Sequence, residues 1–151
     1  MTAARSTTVV DEDAHAILAD LGPLLDALRG SRILVTGASG FLCSWFVETV
    51  AALNAHGDGK PARLIAVDNH ITGASDRLGR IGGDWLQLLQ HDVSQPLALN
   101  EHVDWIIHGE SIASPPLYRR FPLQTIDVTV KCTRPMLALA SAAGSRGPLQ
   151  H

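Results

Sequence analysis

A short apolar segment that runs directly into a glycine turn constrains the fold of this chain more than any other feature. Residues 32–35 read Arg-Ile-Leu-Val, and the next five residues, Thr-Gly-Ala-Ser-Gly, lead into an apolar stretch with helical spacing. Gly37 permits a tight turn after the strand, and Gly40 lets backbone approach a phosphate closely. The segment therefore predicts a strand, a turn and a helix N-terminus that can receive a dinucleotide pyrophosphate.

Strands and helices alternate along the rest of the chain. A loop with at most one helical turn is predicted between residues 68 and 83. The alternation predicts a Rossmann-type parallel sheet with helices on both faces. The predicted strands cover residues 33–35, 64–67, 86–90 and 103–108, and the predicted helices cover residues 41–55 and 122–143.

Residues 1–30 precede this pattern and are interpreted as an N-terminal helical extension. Apolar residues between Ile17 and Leu28 lie on one helical stripe, and Gly22-Pro23 interrupts it. We therefore expect a kink or two short helices, ended by Gly30. The segment is interpreted as a packing or partner-facing element.

Length, charge and cysteine content restrict the class of protein. The chain has 151 residues, enough for one domain with a substantial core. Its formal charge is −3, and the lack of a Lys/Arg run argues against nucleic-acid binding. Cys43 and Cys132 lack the spacing of a metal site, so we expect a reduced, cytoplasmic protein. We expect no membrane span and no signal peptide.

Acidic residues after two of the strands indicate the ligand. Asp68 follows the second strand, where a carboxylate can accept hydrogen bonds from both hydroxyls of an adenosine ribose. It would repel a 2′-phosphate, which favours NAD over NADP, although a carboxylate there can also simply cap a loop. Asp92, after the third strand, either bonds an adenine amino group or caps a turn. The seven histidines show no ligand spacing on one element, so no metal site is predicted.

Four motifs in one order extend this interpretation to a family. They occupy residues 36–42, 68–73, 91–97 and 113–118. Their combination resembles the extended short-chain dehydrogenase/reductases, the NAD-dependent epimerase/dehydratase family, and within it the UDP-glucuronate decarboxylase-like nucleotide-sugar enzymes. The resemblance covers residues 31 to about 144, so residues 31–151 are interpreted as a partial NAD-binding Rossmann domain.

The resemblance implies an activity and a set of site residues. It implies a bound NAD that accepts hydride from a sugar carbon of a UDP-sugar, followed by decarboxylation, elimination or epimerisation beside the ketone. The implied contacts are Gly37, Gly40, Phe41 and Leu42 at the pyrophosphate, Asp68 and Asn69 at the adenosine ribose, Asp92 and Val93 at the adenine, and Ser114, Pro115 and Tyr118 near the nicotinamide or the sugar.

The chain departs from the family pattern where the chemistry would occur. The family's Tyr-x-x-x-Lys pair, which supplies the general base, is absent because Tyr118 is the only tyrosine and residue 122 is a proline. We assign no catalytic residue. We also expect an incomplete fold that stops after the fourth strand and its following helix, without a sugar-binding domain. The open sheet edge predicts a homo-oligomer or a partner chain that covers it.

Three substitutions depart from the family pattern. Cys43 replaces a glycine of the turn motif, Glu110 replaces an alanine and would repel a pyrophosphate if it faced one, and Pro135 falls inside the last helix. Cys43 and Glu110 favour an alternative interpretation. The alternative is a non-catalytic pseudoenzyme or interaction module that keeps the fold without the cofactor.

Overall fold

The computed structural model of the protein describes residues 9–56, 59–70, 76–99, 101–109 and 115–142. The helix at 41–55 and the strand at 86–90 have the predicted bounds, whereas the fourth strand begins two residues later than predicted. In chain order the elements are α1 (Val9–Leu21), α2 (Leu24–Leu28), β1 (Arg32–Thr36), α3 (Phe41–Ala55), β2 (Arg63–Asp68), α4 (Asp76–Gly79), β3 (Leu86–Gln90), β4 (Trp105–His108), α5 (Pro115–Arg120) and α6 (Pro122–Ala142).

The described strands form one sheet in the order β3-β2-β1-β4. Every strand pair is parallel, as predicted. The chain winds outward from β1 to β3 and then crosses back to place β4 on the other side of β1. The carboxyl ends of β1 and β4 therefore form the switch point at which open α/β sheets bind their ligands.

The residues of β1 alternate between two cores. Ile33 belongs to a buried cluster that includes Val47 of α3, whereas Leu34 belongs to a second cluster with Cys132 and Met136 of α6. Successive side chains of a strand point to opposite faces, so a strand that is buried on both faces needs a cover on each. Helices α3 and α6 supply the two covers, which confirms the predicted architecture.

The N-terminal segment folds as two helices separated at the predicted break. Gly22, between α1 and α2, has a φ of +48°, a left-handed conformation that favours glycine. Helix α1 packs against α3, and its Ala14 is only 2% exposed. The extension is thus attached to the sheet through α3.

Helix α6 continues through Pro135, as the pattern predicted. A proline inside a helix removes a backbone hydrogen bond and costs about 3 kcal/mol. Cys132 and Met136, on either side of Pro135, are both buried against the sheet and offset this cost. None of the described helices combines the length and apolar character that crossing a bilayer requires.

Candidate functional site

The turn after β1 depends on two glycines. Gly37 has a φ of +64°, and its carbonyl accepts a hydrogen bond from the Gly40 N–H at 2.9 Å. A Cβ placed on residue 40 would lie 3.0 Å from the same carbonyl oxygen, closer than ordinary packing allows. Gly37 is therefore needed for its backbone conformation, and Gly40 for the space around it.

Helix α3 begins immediately after this turn, with Gly40 as its N-cap residue. None of the side chains that the structure describes donates or accepts a capping hydrogen bond at this end. The first N–H groups of a helix lack partners within the helix, and here they belong to the segment that starts with Phe41 and Leu42. Both side chains are more than three-quarters exposed. With the helix dipole, these donors form a site suited to an anion.

The carboxylate of Asp68 connects the glycine turn to the end of β2. Its Oδ2 accepts a hydrogen bond from the Ser39 N–H at 2.8 Å, and its Oδ1 accepts one from the His70 N–H at 2.8 Å. The side chain is 13% exposed. A carboxylate offers about four acceptor positions. Asp68 can therefore hold the turn and still accept hydrogen bonds from a ligand.

A cavity of about 620 Å³ opens beside this carboxylate. Its volume is within the range of small-molecule sites, about 300–1,000 Å³. Polar and apolar side chains both line it, and most of them were not singled out by the sequence; they include Ser39, His70, Leu78, Arg80 and Leu88. Leu88 lies within β3 and is nevertheless 51% exposed, so its apolar side chain is available to a ligand in the cavity.

Asp92 and Val93, both expected at the adenine, have different surroundings. Oδ1 of Asp92 accepts a hydrogen bond from the Ser94 N–H at 2.9 Å. Hydrogen bonds from the side chain and the backbone of Ser94 lower the pKa of Asp92. This is the turn-capping role that the sequence left open, and an adenine contact stays a prediction. Val93 is completely buried in the same cluster as Leu34, and its contact with an adenine also stays a prediction.

The remaining predicted residues are only partly described. Asn69 follows Asp68 and is half-buried. Pro115 begins helix α5, and Tyr118 lies on it, but only their backbone is described. Ser114 and Glu110 lie outside the described residues. The expected positions of these side chains near the nicotinamide or the pyrophosphate therefore stay predictions.

Cys43, near the start of α3, is buried against the end of β4. Its exposed fraction is 7%, and a Cβ built on Gly109 would lie only 2.2 Å from its Sγ. The glycine at residue 109 thus makes room for the sulfur at position 43. Burial, with a smaller contribution from the negative charge of Asp68, raises the pKa of the Cys43 thiol. The thiol is therefore protonated near neutral pH and acts as a packing group.

His108 ends β4 opposite Thr36, the last residue of β1. Its Nδ1 lies 2.7 Å from the Thr36 Oγ1, and its Nε2 is buried without a hydrogen-bond partner among the described residues. Burial lowers the pKa of His108. A neutral imidazole thus occupies the switch point between β1 and β4, which spacing along the sequence did not indicate.

The fold and this site define a domain of the Rossmann type. Four features are typical of that class: a parallel sheet with a switch point, a glycine turn, a helix N-terminus that no described side chain caps, and a carboxylate after β2. A model of the NAD dependent epimerase/dehydratase family matches residues 33–150. The chain belongs to this family.

Two relatives with similar sequences are UDP-glucuronic acid decarboxylases. UDP-glucuronic acid decarboxylase 6 of Arabidopsis thaliana is 38% identical over 132 residues, which cover 82% of this chain and 36% of the relative. UDP-glucuronic acid decarboxylase 1 of Danio rerio is 35% identical over 116 residues, which cover 76% of this chain and 26% of the relative. The chain thus spans about a third or less of the length of these relatives.

Solved structures share the fold. The dTDP-glucose 4,6-dehydratase DesIV of Streptomyces venezuelae, solved with NAD bound, has a TM-score of 0.65 at 25% identity. That alignment covers 76% of this chain and 37% of DesIV. The epimerase Mth375 of Methanothermobacter thermautotrophicus has a TM-score of 0.66 at 17% identity over 80% of this chain and 34% of that one, and supports the fold alone.

Gly109→Ala is expected to lower the free energy of unfolding by about 1–3 kcal/mol, because the new Cβ would overlap the Cys43 Sγ. Cys43→Ala removes that sulfur, so the double variant should lose less than the sum of the single losses, with a coupling of at least about 1 kcal/mol. Urea denaturation of all four proteins measures the coupling. Strictly additive losses would contradict the contact between residues 43 and 109.

Acid is expected to destabilise the protein partly through His108. Because the pKa of His108 is lowered in the folded protein, the unfolded chain takes up a proton that the folded ring resists. Stability should therefore fall as the pH drops below the ordinary histidine pKa of about 6.5. Urea denaturation should show a larger loss between pH 7.5 and 5.5 in the parent than in His108→Gln. Parallel curves throughout this interval would contradict a buried neutral ring.

Proposed function

We propose that this chain binds NAD across the glycine turn, with the pyrophosphate at the N-terminus of α3 and the adenosine beside Asp68. The observation that carries the proposal is the proximity of two complementary groups. An N-terminus that no described side chain caps directly follows a turn whose Ser39 N–H is bonded to the Asp68 carboxylate. One group suits a phosphate, and the other suits ribose hydroxyls.

The residues present fit a pyrophosphate. The phosphate oxygens would accept hydrogen bonds from the N–H groups of Phe41 and Leu42, which are in the first turn of α3. Gly40 has no side chain that would block the approach of a phosphate. A Cβ at this position would also crowd the Gly37 carbonyl. The N–H groups of Ala38 and Ser39 are already bonded to Val67 and Asp68 and would hold the shape of the turn.

The adenosine half would occupy the cavity beside Asp68. Asp68, with Asn69, would accept and donate hydrogen bonds at the ribose, and Leu88 would contact the base. The negative charge of Asp68 disfavours a 2′-phosphate, although Arg80 lines the same cavity and carries the opposite charge. We propose that Asp68 decides the preference for NAD, because its carboxylate is held in place by two hydrogen bonds, one from the Ser39 N–H of the turn and one from the His70 N–H after β2.

NAD binding and its dependence on Asp68 can be measured by calorimetric titration of the full chain. Asp68→Ala is expected to weaken NAD binding about 10- to 100-fold, since hydrogen bonds to a charged acceptor contribute about 1.5–3 kcal/mol. Asp84→Ala, on the exposed segment before β3, is the matched control and should bind as the parent does. Asp68→Asn, which removes the charge and one of the two acceptor oxygens, should narrow the preference for NAD over NADP.

Melting curves of the variants without ligand separate lost binding from lost folding, because Asp68 also holds the glycine turn. A parent chain that is folded but does not bind NAD would contradict the proposal. That result would favour the alternative of an interaction module without cofactor. Cys43 gives that alternative little support, since Gly109 makes room for its thiol.

We further propose that the complete protein acts on a nucleotide sugar. The names of its relatives and structural neighbours support this substrate class: UDP-glucuronic acid decarboxylases and a dTDP-glucose 4,6-dehydratase. NAD would supply the hydride acceptor, and the residues of this chain would hold it in place. The 151-residue chain lacks the Tyr-x-x-x-Lys pair, so incubation with NAD and UDP-glucuronate should release neither carbon dioxide nor NADH. Clear turnover would contradict the proposal that this chain is catalytically incomplete by itself.

We also propose that the chain self-associates. In the part of the chain that the structure describes, β4 is paired only on the side of β1. Helix α6 adds a stripe of exposed apolar side chains on the same side of the helix: Leu123, Ile126, Val130 and Leu137. Their spacing of three, four and seven residues places them along one face, as in helices that pair with a second helix.

Light scattering during size-exclusion chromatography is expected to give at least twice the mass of one chain. Val130→Lys, in the middle of the stripe, should shift the protein toward the monomer because a charge would be buried at the contact. Leu24→Lys, at an exposed position of α2, is the control and should leave the mass unchanged. A parent protein that is a stable monomer would overturn the proposal.

A further inference from the structure

Two histidines from different helices meet where α1 packs against α3. Nε2 of His15 lies 2.9 Å from Nε2 of His56, and both side chains are exposed. The rings are perpendicular, with their centroids 4.3 Å apart. His15 is on α1, and His56 is the C-cap residue of α3. The two positions are 41 residues apart, so no spacing within one element could have indicated the pair.

The second nitrogen of each ring fixes the tautomer. Nδ1 of His15 lies 2.5 Å from the carbonyl oxygen of Asp11, and Nδ1 of His56 lies 3.0 Å from that of Ala52. A carbonyl oxygen only accepts hydrogen bonds, so each Nδ1 carries the hydrogen. In the neutral rings both Nε2 atoms therefore present a lone pair. Two lone pairs at this distance repel each other unless a proton or a cation lies between the rings.

We propose that His15 and His56 together bind a divalent transition-metal ion of the nickel or copper type. In metal sites a ligating histidine commonly donates its other N–H to a backbone carbonyl, and both rings already do so here. Imidazole nitrogens are suitable ligands for these ions. The two rings are thus oriented for coordination before any ion arrives.

The distance between the two Nε2 atoms indicates the geometry of the ion. With metal–nitrogen bonds of about 2.0–2.1 Å, nitrogens 2.9 Å apart enclose an angle of about 90° at the metal. That angle is found between adjacent ligands of square-planar or octahedral ions, the geometries that suit nickel and copper. A tetrahedral zinc ion would need a nitrogen–nitrogen separation of about 3.3 Å. The separation is thus that of adjacent ligands of a nickel or copper ion.

Solvent would complete the coordination. Among the described residues no group of three or more His, Cys, Asp or Glu side chains is arranged around a metal position. The exposure of the pair leaves room for water ligands. An ion held by one ring from α1 and one from α3 would fasten the N-terminal extension to the sheet domain. It would stabilise the folded protein, because it binds the folded pair in preference to the unfolded chain.

This site is separate from the proposed NAD site. The histidine pair lies at the carboxyl end of α3, whereas the glycine turn lies at the amino end of the same helix. A helix of 15 residues is about 22 Å long. Loss of nickel binding and loss of NAD binding can therefore be observed independently.

Calorimetric titration of the full chain with nickel chloride alone tests the proposal. We expect about one equivalent of nickel to bind. His15→Ala and His56→Ala should each weaken binding at least tenfold, and the double variant should be little worse than either, because both rings hold one ion. His102→Ala removes another exposed histidine, which is next to Asp104, and is the control that should bind nickel as the parent does.

Thermal melts keep the result interpretable if the alanine variants loosen α1. Nickel should raise the melting temperature of the parent and of His102→Ala. It should leave the melting temperatures of His15→Gln and His56→Gln unchanged. Circular dichroism before addition of metal checks that each variant is folded. A parent that does not bind nickel, or folded His15 and His56 variants that bind it as tightly as the parent, would overturn the proposal.

Discussion

The site depends on one carboxylate that is bonded to two segments of backbone. Asp68 accepts a hydrogen bond from the Ser39 N–H of the glycine turn and another from the His70 N–H after β2. Hydrogen bonds to a charged acceptor are worth about 1.5–3 kcal/mol each, more than ordinary backbone bonds. The turn that opens α3 is therefore held to the neighbouring strand, and the N-terminus of α3 keeps a fixed position next to the cavity.

Close packing behind the turn is preserved because a small residue at position 109 leaves space for a larger one at position 43. Cys43 stands where the motif resemblance implies a third glycine, and its sulfur occupies space next to Gly109 that a Cβ would otherwise fill. The departure in the motif thus changes which residue must be small, while α3 remains packed on the ends of β1 and β4. For this reason a substitution that breaks the sequence pattern leaves the fold of the family intact.

Helix α3 has two ends with different chemistry. Its amino end presents backbone donors and suits an anion, and its carboxyl end places the imidazole of His56 against that of His15. The helix also contributes Val47 to the core under β1.

Family membership rests on the match over residues 33–150. NAD binding, the nucleotide-sugar substrate, self-association and the metal site are proposals that separate experiments can test.

Features that depend on local patterns could be predicted from the amino-acid sequence. The bounds of α3 and β3, the break at Gly22 and the parallel sheet followed from periodicity and glycine positions, and the four ordered motifs pointed to the family. Three contacts became evident only in the folded chain: the Val93 side chain packs in the core, Gly109 accommodates Cys43, and His15 lies against His56. Such contacts join residues far apart in the chain, and no local period encodes them.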